Sequence, residues 1–520
     1  MLRARTLSTL ARRSARRTGP FIFRNASSKS KVPATPDKSP KSLGYIEETF
    51  TQHTVFTIDF FRRFIKFTAV GLVTLGVTTC TAFEAAHFWV EKVELAPETD
   101  PEAHKWEWDL DAERWTGGSA GGTDPGLGFM GRHAVRGAWM ALNWGIGSSG
   151  SIISSRGGAG SLNIVEARLE FAQDFLNVAI QNALKRYDSG KLRPETLIEL
   201  FQRHASVMEL MGTRDSLFES RRELEKVWSM LPGKGVDAAR IALKLGDLNQ
   251  RLGDRDDAVA WWARAIQLLQ EKDSRIPVEI PPSVPDVAPS SPLRQRTLIS
   301  TLVSLSAHYA TSGQLRQAQQ VEESSLDLLR SIRQPQSFET ASPPHSLHAL
   351  YILHRSSLLS IHLAEVLYAL RTKPITSIEW LTRAAESSER VAFTLTGLPL
   401  SHPDAPGSRI PHPPSSETAL LPAYAKSVSM KKPARSLLRD SRRSAAEAWN
   451  LIGILVESSD APDSMDRALE YYERALGWAG VSADRAGGIG KPGEGTLEAE
   501  WKTLWNNYVR ARNAVKKDGK

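Results

Sequence analysis

The sequence predicts an all-α protein in which helical hairpins stack into a solenoid, preceded by one transmembrane helix and a disordered N-terminal segment. From Leu162 onward, apolar residues recur at helical spacing. Within that region, Ala239 to Lys272 reads as two amphipathic helices joined by a turn at Gly253-Asp254. One such hairpin cannot bury its apolar face alone, so hairpins are expected to stack. An uncharged run of 17 residues, 67–83, predicts the membrane helix.

Composition excludes several classes of function. The 520 residues are 41% hydrophobic, which is enough for a folded core. The formal net charge is +8, but residues 1–31 hold seven Arg and two Lys and no acid, so the rest of the chain is close to neutral. There is therefore no global electrostatic case for binding nucleic acid. Cys80 is the single cysteine, which excludes an intrachain disulfide or a thiol-rich metal site.

Residues 1–25 have the composition of a mitochondrial presequence. They are rich in Arg, contain Ser and Thr, and carry no acid. A disordered basic tail is the alternative. Residues 26–63 are predicted to form a linker and juxtamembrane segment, because the Lys/Ser/Pro-rich part at 29–42 is too polar to fold.

The transmembrane helix is predicted over residues 64–90. As a helix, the uncharged run spans about 26 Å, slightly less than the roughly 30 Å of a bilayer core. Lys66, Phe88 and Trp89 at its ends are suited to the interface. A buried helix of a soluble protein is the alternative.

Charges around this helix predict its orientation. Arg62, Arg63 and Lys66 precede it, and acidic residues follow it: Glu91, Glu94, Glu98, Asp100 and Glu102. The positive-inside rule then keeps the N-terminal side in the matrix. The C-terminal part is expected in the intermembrane space, on the inner mitochondrial membrane.

The remaining chain divides into three parts. Residues 91–161 form a Trp/Gly-rich connecting segment, in which Gly131 to Ile146 is predicted as a helix that lies on the membrane or packs on the first hairpin. Residues 162–480 form the solenoid, with Pro-rich surface loops. It begins with a helical stripe that includes Val165. Residues 481–520 form a Gly-rich loop and a capping helix, whose buried side is expected to carry Leu497, Trp501, Leu504, Trp505 and Tyr508.

Four hairpins are predicted from small and large residues at recurring spacings. The clearest has Leu245, Gly246, Gly253, Ala258, Trp262 and Ala265. The second has Leu305, Tyr309, Gly313, Ala318 and Ser325, with Glu322 where a large apolar residue is expected. The third, weaker, has Leu363, Ala364, Leu367, Leu381 and Ala384. The fourth has Trp449, Gly453, Ala468, Tyr472 and Ala475, with a turn at 458–463 about three residues longer than usual.

This pattern resembles the tetratricopeptide (TPR) repeat, in which small residues let two antiparallel helices touch. Asn249 and Gln270 depart from the family pattern, and an irregular all-helical domain is the alternative. The resemblance implies that the first helices of the hairpins line a groove for a segment of another protein. Candidate groove residues are Arg240, Leu243, Lys244 and Asp247.

No catalytic, cofactor-binding or metal-binding function is predicted. Gly117 to Gly121 matches the nucleophile-elbow pattern, but no strand is expected before it. Gly487 to Lys491 is followed by Pro492 where a phosphate loop needs Ser or Thr. His345 and His348 are spaced like metal ligands but lack a third ligand nearby. The chain is expected to bind proteins, with no nucleic acid and no small-molecule substrate.

A presequence, one span and C-terminal TPR repeats together resemble the family of fungal adaptor subunits of the inner-membrane i-AAA protease. That resemblance implies delivery of substrates to the protease in the intermembrane space. A second possibility is an assembly factor for a respiratory complex, similar to the complex III maturation factor, with repeats facing the matrix. A third is an outer-membrane preprotein receptor. The acid-free Arg-rich N-terminus counts against it.

Overall fold

The computed structural model describes residues 44–145, 151–154, 163–187, 189–270, 280–397, 419–459, 463–480 and 501–518. The predicted presequence, the polar linker at 29–42, and the Gly-rich loop at 481–500 lie outside these residues. The chain divides into two compact units, Met1–Cys80 and Thr81–Lys520.

Every element longer than five residues in the described ranges is an α-helix. The helices are α1 Gly44–Trp89, α2 Pro101–Lys105, α3 Trp108–Asp111, α4 Gly128–Trp144, α5 Ala167–Tyr187, α6 Pro194–Met211, α7 Arg214–Met230, α8 Val236–Leu252, α9 Arg255–Leu269, α10 Pro292–Thr311, α11 Leu315–Ser331, α12 Pro343–Ala369, α13 Pro374–Thr396, α14 Pro422–Ala425, α15 Lys431–Glu457, α16 Ser464–Ala479 and α17 Trp501–Asp518. Short π- or 3₁₀-turns cover Val90–Glu94, Gly118–Ala120 and Pro125–Leu127.

One short pair of strands interrupts the helical pattern. Strand β1, Ser151–Ser154, pairs antiparallel with β2, Asn163–Glu166. Val165, predicted to lie in the first helix of the solenoid, is in β2, and α5 begins at Ala167. Since β-branched Ile164 and Val165 favour extended backbone, the local propensity explains the difference.

Helix α1 begins earlier than predicted. It starts at Gly44, so the part of the predicted linker from residue 44 to 63 is helical and continuous with the apolar run. In the described residues, one helix is long and apolar enough to cross a membrane, His53–Glu94. Its large apolar side chains, such as Phe56, Phe67 and Val73, are exposed. This exposure is compatible with a single-pass membrane protein.

The last turns of α1 belong to the second unit. His87 and Val90 are buried. The ring of His133 in α4 lies 4.5 Å from that of His87. One Glu91 carboxylate oxygen accepts a hydrogen bond from Arg132 at 2.8 Å. The helix predicted at 131–146 is therefore α4, packed against the end of α1 and against α5 rather than exposed on a surface.

Consecutive helices form hairpins. Helix α8 ends at Gly253, whose φ of +97° favours glycine, and α9 follows at Arg255. A Cβ placed on Gly246 would lie 2.4 Å from Nε1 of Trp262, so only glycine lets the indole reach the α8 backbone. Trp262 is 1% exposed, beside buried Leu245. Ala258 and Ala265 are buried in α9 as well.

The hairpin of α15 and α16 repeats this contact. A Cβ on Gly453 would lie 2.6 Å from the ring of Tyr472. Trp449, Ala468, Tyr472 and Ala475 are buried, and the Tyr472 hydroxyl donates to the Glu457 carboxylate at 2.6 Å. In α10 and α11, Tyr309 and Ala318 are buried, and Gly313 occupies the turn with a φ of +78°.

The first helices of the hairpins also contact one another. Besides its neighbours in the chain, α8 contacts α10, α10 contacts α12, and α12 contacts α15. We call these four helices the first-helix row. At the C-terminus, α17 packs on α16, with Leu504 and Tyr508 buried and Trp505 half-buried. Leu497 lies outside the described residues.

Candidate functional site

The predicted groove residues all lie on α8, but Arg240 is already engaged. Its guanidinium donates to the backbone carbonyls of Leu110 and Asp111 and to the Asp111 carboxylate, each at 3.0 Å. Lys244 lies 3.5 Å from the Glu209 carboxylate, and Leu243 packs half-buried against the core of α8 to α11. Arg240 therefore binds this chain's own connecting segment.

The segment that Arg240 contacts also reaches the N-terminal parts of the other three helices in the first-helix row. We call residues 98–115 the strap; it includes α2 and α3. At one end, the Glu98 carboxylate accepts hydrogen bonds from the hydroxyls of Ser427 and Ser429, at 2.9 and 2.6 Å. Burial would raise the pKa of Glu98, but these hydrogen bonds lower it to about 2, so the carboxylate is ionised.

The other end of the strap joins two helices through Glu113. Its carboxylate lies 3.0 Å from Arg203 in α6 and 2.5 Å from Lys432 in α15. Burial would raise the pKa of Glu113, but the two cations lower it to about 2. Glu107, in the middle, accepts from the Ser291 hydroxyl and the Leu293 amide at the start of α10, which suits the positive end of a helix.

Trp108 and Arg296 form the centre of the contact between the strap and the first-helix row. Trp108 is 1% exposed, and its Nε1 donates to the Pro344 carbonyl at 2.9 Å. The Arg296 guanidinium lies 3.9 Å from the Trp108 ring centroid, within the range of a cation–π contact. Arg296 also donates to the Asp111 carboxylate and to the carbonyls of Trp106 and Glu107, at 3.0 to 3.1 Å. This buried guanidinium is thus satisfied by the strap.

His345 and His348, spaced like metal ligands, pack against the strap instead. Trp106 stacks on His345 with ring centroids 4.1 Å apart. Burial, with the nearby Arg296 charge, lowers the pKa of His348 to about 3, so its ring is neutral. Its two nitrogens lie 3.2 Å from Arg296 and 3.0 Å from Gln295. No group of three His, Cys, Asp or Glu suited to a metal occurs among the described residues.

A cavity of about 670 Å³ borders the strap. Its walls come from the strap and the turns on either side of it, the end of α4 and the start of α15. Trp139 and Trp144 supply apolar surface, while Lys431 and Arg435 supply positive charge. Gly117 to Gly121, which match a nucleophile elbow in sequence, form a 3₁₀-turn in this wall with no strand before it in the described residues. Gly487 to Lys491 lie outside the described residues.

Beyond the strap, the first-helix row carries a second set of polar groups. Burial raises the pKa of Asp247 to about 6, although Ser304 and Trp262 donate hydrogen bonds to it. Burial alone would lower the pKa of Arg355. Tyr351 and the carboxylates of Asp440 and Asp247 have the larger, opposite effect, so the pKa of Arg355 lies above its ordinary value. Five of these residues come from α8, α10, α12 and α15 and are half-buried: Asp247, Ser304, Tyr351, Arg355 and Asp440. We call this set the Arg355 surface.

The strap was missed by sequence reasoning, which described residues 91–161 as a connecting segment. A signal was present in 106–115, where tryptophans alternate with acids. Such a stretch is too short to fold alone, and its buried tryptophan needs a partner surface.

Comparisons with known proteins assign neither a family nor a function to this chain. No protein-family model matches the chain, and no curated protein matches it. A solved structure described as the crystal structure of BtubC (BKLC) from P. vanneervenii is similar over 57% of this chain and 99% of that one, with 14% identity and a TM-score of 0.29. A likeness at this level carries no argument.

Proposed function

We propose that the protein is a membrane-anchored adaptor whose TPR-type hairpins stack into a solenoid and bind segments of other proteins. The observation that carries the proposal is the first-helix row. Its helices contact one another in succession and present half-buried charged groups on one surface. Helical repeats that stack in this way bind extended or helical segments along their first helices.

Two glycine contacts support the TPR type. In each contact, a glycine without a side chain lets a large ring pack against the helix backbone where two helices cross. The pairs are Gly246 with Trp262 and Gly453 with Tyr472. This is the pairing that the repeat pattern requires. The longer turn before α16 accounts for the larger spacing in the second pair.

The proposed site of action is the inner mitochondrial membrane. The exposed apolar helix α1 supplies an anchor, and residues 1–25 have the composition of a mitochondrial presequence. Basic residues before the anchor and acids after it favour the intermembrane space for α2 to α17. In that compartment the adaptor would bring substrates to an inner-membrane quality-control protease.

Protease protection tests the location. A tag after Lys520 should survive protease added to intact mitochondria and be digested once the outer membrane is ruptured. Digestion without rupture would place the protein on the outer membrane as a receptor. Protection in both conditions would place α2 to α17 in the matrix, as expected for an assembly factor.

Co-purification tests the binding function. Arg355→Glu reverses the charge at the centre of the Arg355 surface and should reduce the yield of co-purified membrane proteins at least fivefold. Arg264→Glu makes the same charge change on the second helix α9 and should leave the yield unchanged. Equal recovery with both variants would contradict binding at the first-helix row.

A further inference from the structure

The strap and the surface beneath it are chemically complementary. The strap carries carboxylates at Glu98, Glu107, Asp111 and Glu113 that all contact the rest of the chain. Asp111 and Glu113 meet four cations, Arg203, Arg240, Arg296 and Lys432, whereas Glu98 and Glu107 accept hydrogen bonds from serine hydroxyls and backbone amides. Trp108 enters the core between these charges, Trp106 stacks beside it on His345, and Trp115 is buried at the end of the strap. The surface therefore selects an acidic segment with a tryptophan at its centre.

We propose that the strap is a built-in competitor, and that a partner protein with an acidic, tryptophan-bearing segment binds the first-helix row by displacing it. The feature recognised is a tryptophan with a carboxylate one residue before it and another three residues after it, as in Glu107-Trp108-Asp109-Leu110-Asp111. This proposal rests on the proposed binding function and specifies the chemistry of the partner.

Several features make the strap replaceable. Helices α2 and α3 have five and four residues, too few to be stable without the surface below them. Around Trp108 and Arg296, several contacts are ion pairs whose side chains keep some exposure, as for Arg240 and Asp111 at 33% and 26%. Ion pairs of this kind contribute little each. A partner segment that supplied its own indole and carboxylates would restore the contacts that Glu107, Trp108 and Asp111 give up.

A labelled peptide of residues 98–115 is the probe, added to the full-length protein in detergent micelles. The variant Asp111→Ala weakens the strap, because it removes the carboxylate shared by Arg240 and Arg296 but keeps Trp108 in the core. The peptide still carries its own Asp111 and can fill the vacated contact. We expect the variant to bind the peptide at least tenfold more tightly than the natural protein, by fluorescence anisotropy.

Two controls accompany this measurement. Asp109→Ala removes an acid of the same strap that pairs with His104 within the strap, so affinity for the peptide should stay at the natural level. A peptide with Asp111→Ala should lose the tenfold advantage. If the natural protein, Asp111→Ala and Asp109→Ala all bind the peptide equally, or none binds it while circular dichroism shows equal helicity, the strap is a permanent part of the fold.

Hydrogen exchange on the natural protein gives a second reading that needs no variant. An excess of the peptide should raise amide exchange at residues 108–112 of the strap, because these amides lose their contacts on displacement. Unchanged protection at saturating peptide would overturn the proposal. Neither measurement needs a cellular partner, so a failed co-purification would count against the proposed function and leave this result standing.

Discussion

Two hairpins with the same spacing use different chemistry in the same position. In α8 and α9, Gly246 faces Trp262, which is buried and donates its N–H to Asp247. In α10 and α11, the corresponding residues are Ser306 and Glu322. Glu322 is 0% exposed, and neither carboxylate oxygen has a hydrogen-bond partner in the described residues. One hairpin therefore holds an indole where the other holds an unpaired carboxyl group.

The difference shows that side chains in the same packing position can contribute very differently to the free energy of unfolding. The indole contributes buried apolar area and a satisfied N–H. The carboxyl group must be neutral to remain buried. Burial, with the charges of Glu365 and Glu323, raises the pKa of Glu322 to about 9. Repeat spacing therefore specifies where a large side chain belongs, while the local sequence decides how strongly it stabilises the hairpin.

The largest expected effect is at Trp262. Trp262→Ala removes a buried aromatic side chain and should lower the free energy of unfolding by about 3–5 kcal/mol. Glu322→Ala, at the matching position, should cost less than about 1 kcal/mol or stabilise the protein, because it removes a buried unpaired polar group. Urea unfolding followed by circular dichroism measures both. Equal losses would contradict the contrast between the hairpins.

Gly246→Ala should have the next largest effect. The added Cβ would lie 2.4 Å from Nε1 of Trp262, so the helices must separate, at a cost of about 1–3 kcal/mol. In a Trp262→Leu background the same change should cost much less, since the ring that it meets is gone. Thermal or urea unfolding of the two singles and the double variant tests this. A full loss in both backgrounds would show that the glycine is needed for another reason.

The pH dependence of stability should distinguish the hairpin of α10 and α11 from that of α8 and α9. The pKa of Glu322 is higher in the folded protein, about 9, than its ordinary value of 4.5. The folded state thus binds the proton more tightly, so stability falls as pH rises from about 5 towards 9. Within this window, each pH unit should lower the free energy of unfolding by about 1.4 kcal/mol.

Two substitutions test that assignment. Glu322→Gln should remove the contribution of this group to the pH dependence, and Glu323→Gln, which changes the exposed neighbouring acid, should leave most of it in place. Unfolding free energies at several pH values give the comparison. If the two variants show the same slope against pH, Glu322 is not the group responsible.

The smallest effect is expected in the last hairpin, where a phenol takes the position of the indole. Tyr472→Phe keeps the ring against Gly453 but removes the hydroxyl that donates to Glu457, itself 2.7 Å from Arg510. The loss should be about 1 kcal/mol, because this network is partly exposed. A loss as large as that of Trp262→Ala would mean that the polar network, rather than the ring, holds this hairpin.

Local patterns in the sequence predicted the helical class and the positions of several helices. The turn at Gly253-Asp254 lies where it was predicted, and it follows from the need for positive φ at Gly253. The early start of α1 was missed, because residues 44–63 mix polar and apolar groups without a clear membrane signal. Glu322 was noted as a departure, but its neutral state depends on burial that only the folded chain supplies.

The candidate site was less predictable than the helices. Periodicity placed Arg240 on the first helix of a hairpin but could not show what covers it. Its partner Asp111 lies far away in the chain, and contacts at such separation leave no local pattern. The same holds for Arg296 and Trp108. His345 and His348, which are spaced like metal ligands in the sequence, pack against Trp106 of the strap.

Photocrosslinking tests the central claim, that partners bind along the first-helix row. Leu358, half-buried on α12 near Arg355, is replaced by a photoreactive amino acid, and Arg383 on the second helix α13 is replaced in a matched variant. After irradiation of intact membranes, we expect a protein adduct from position 358 and none from position 383. Adducts from position 383 alone, or from neither position, would contradict it.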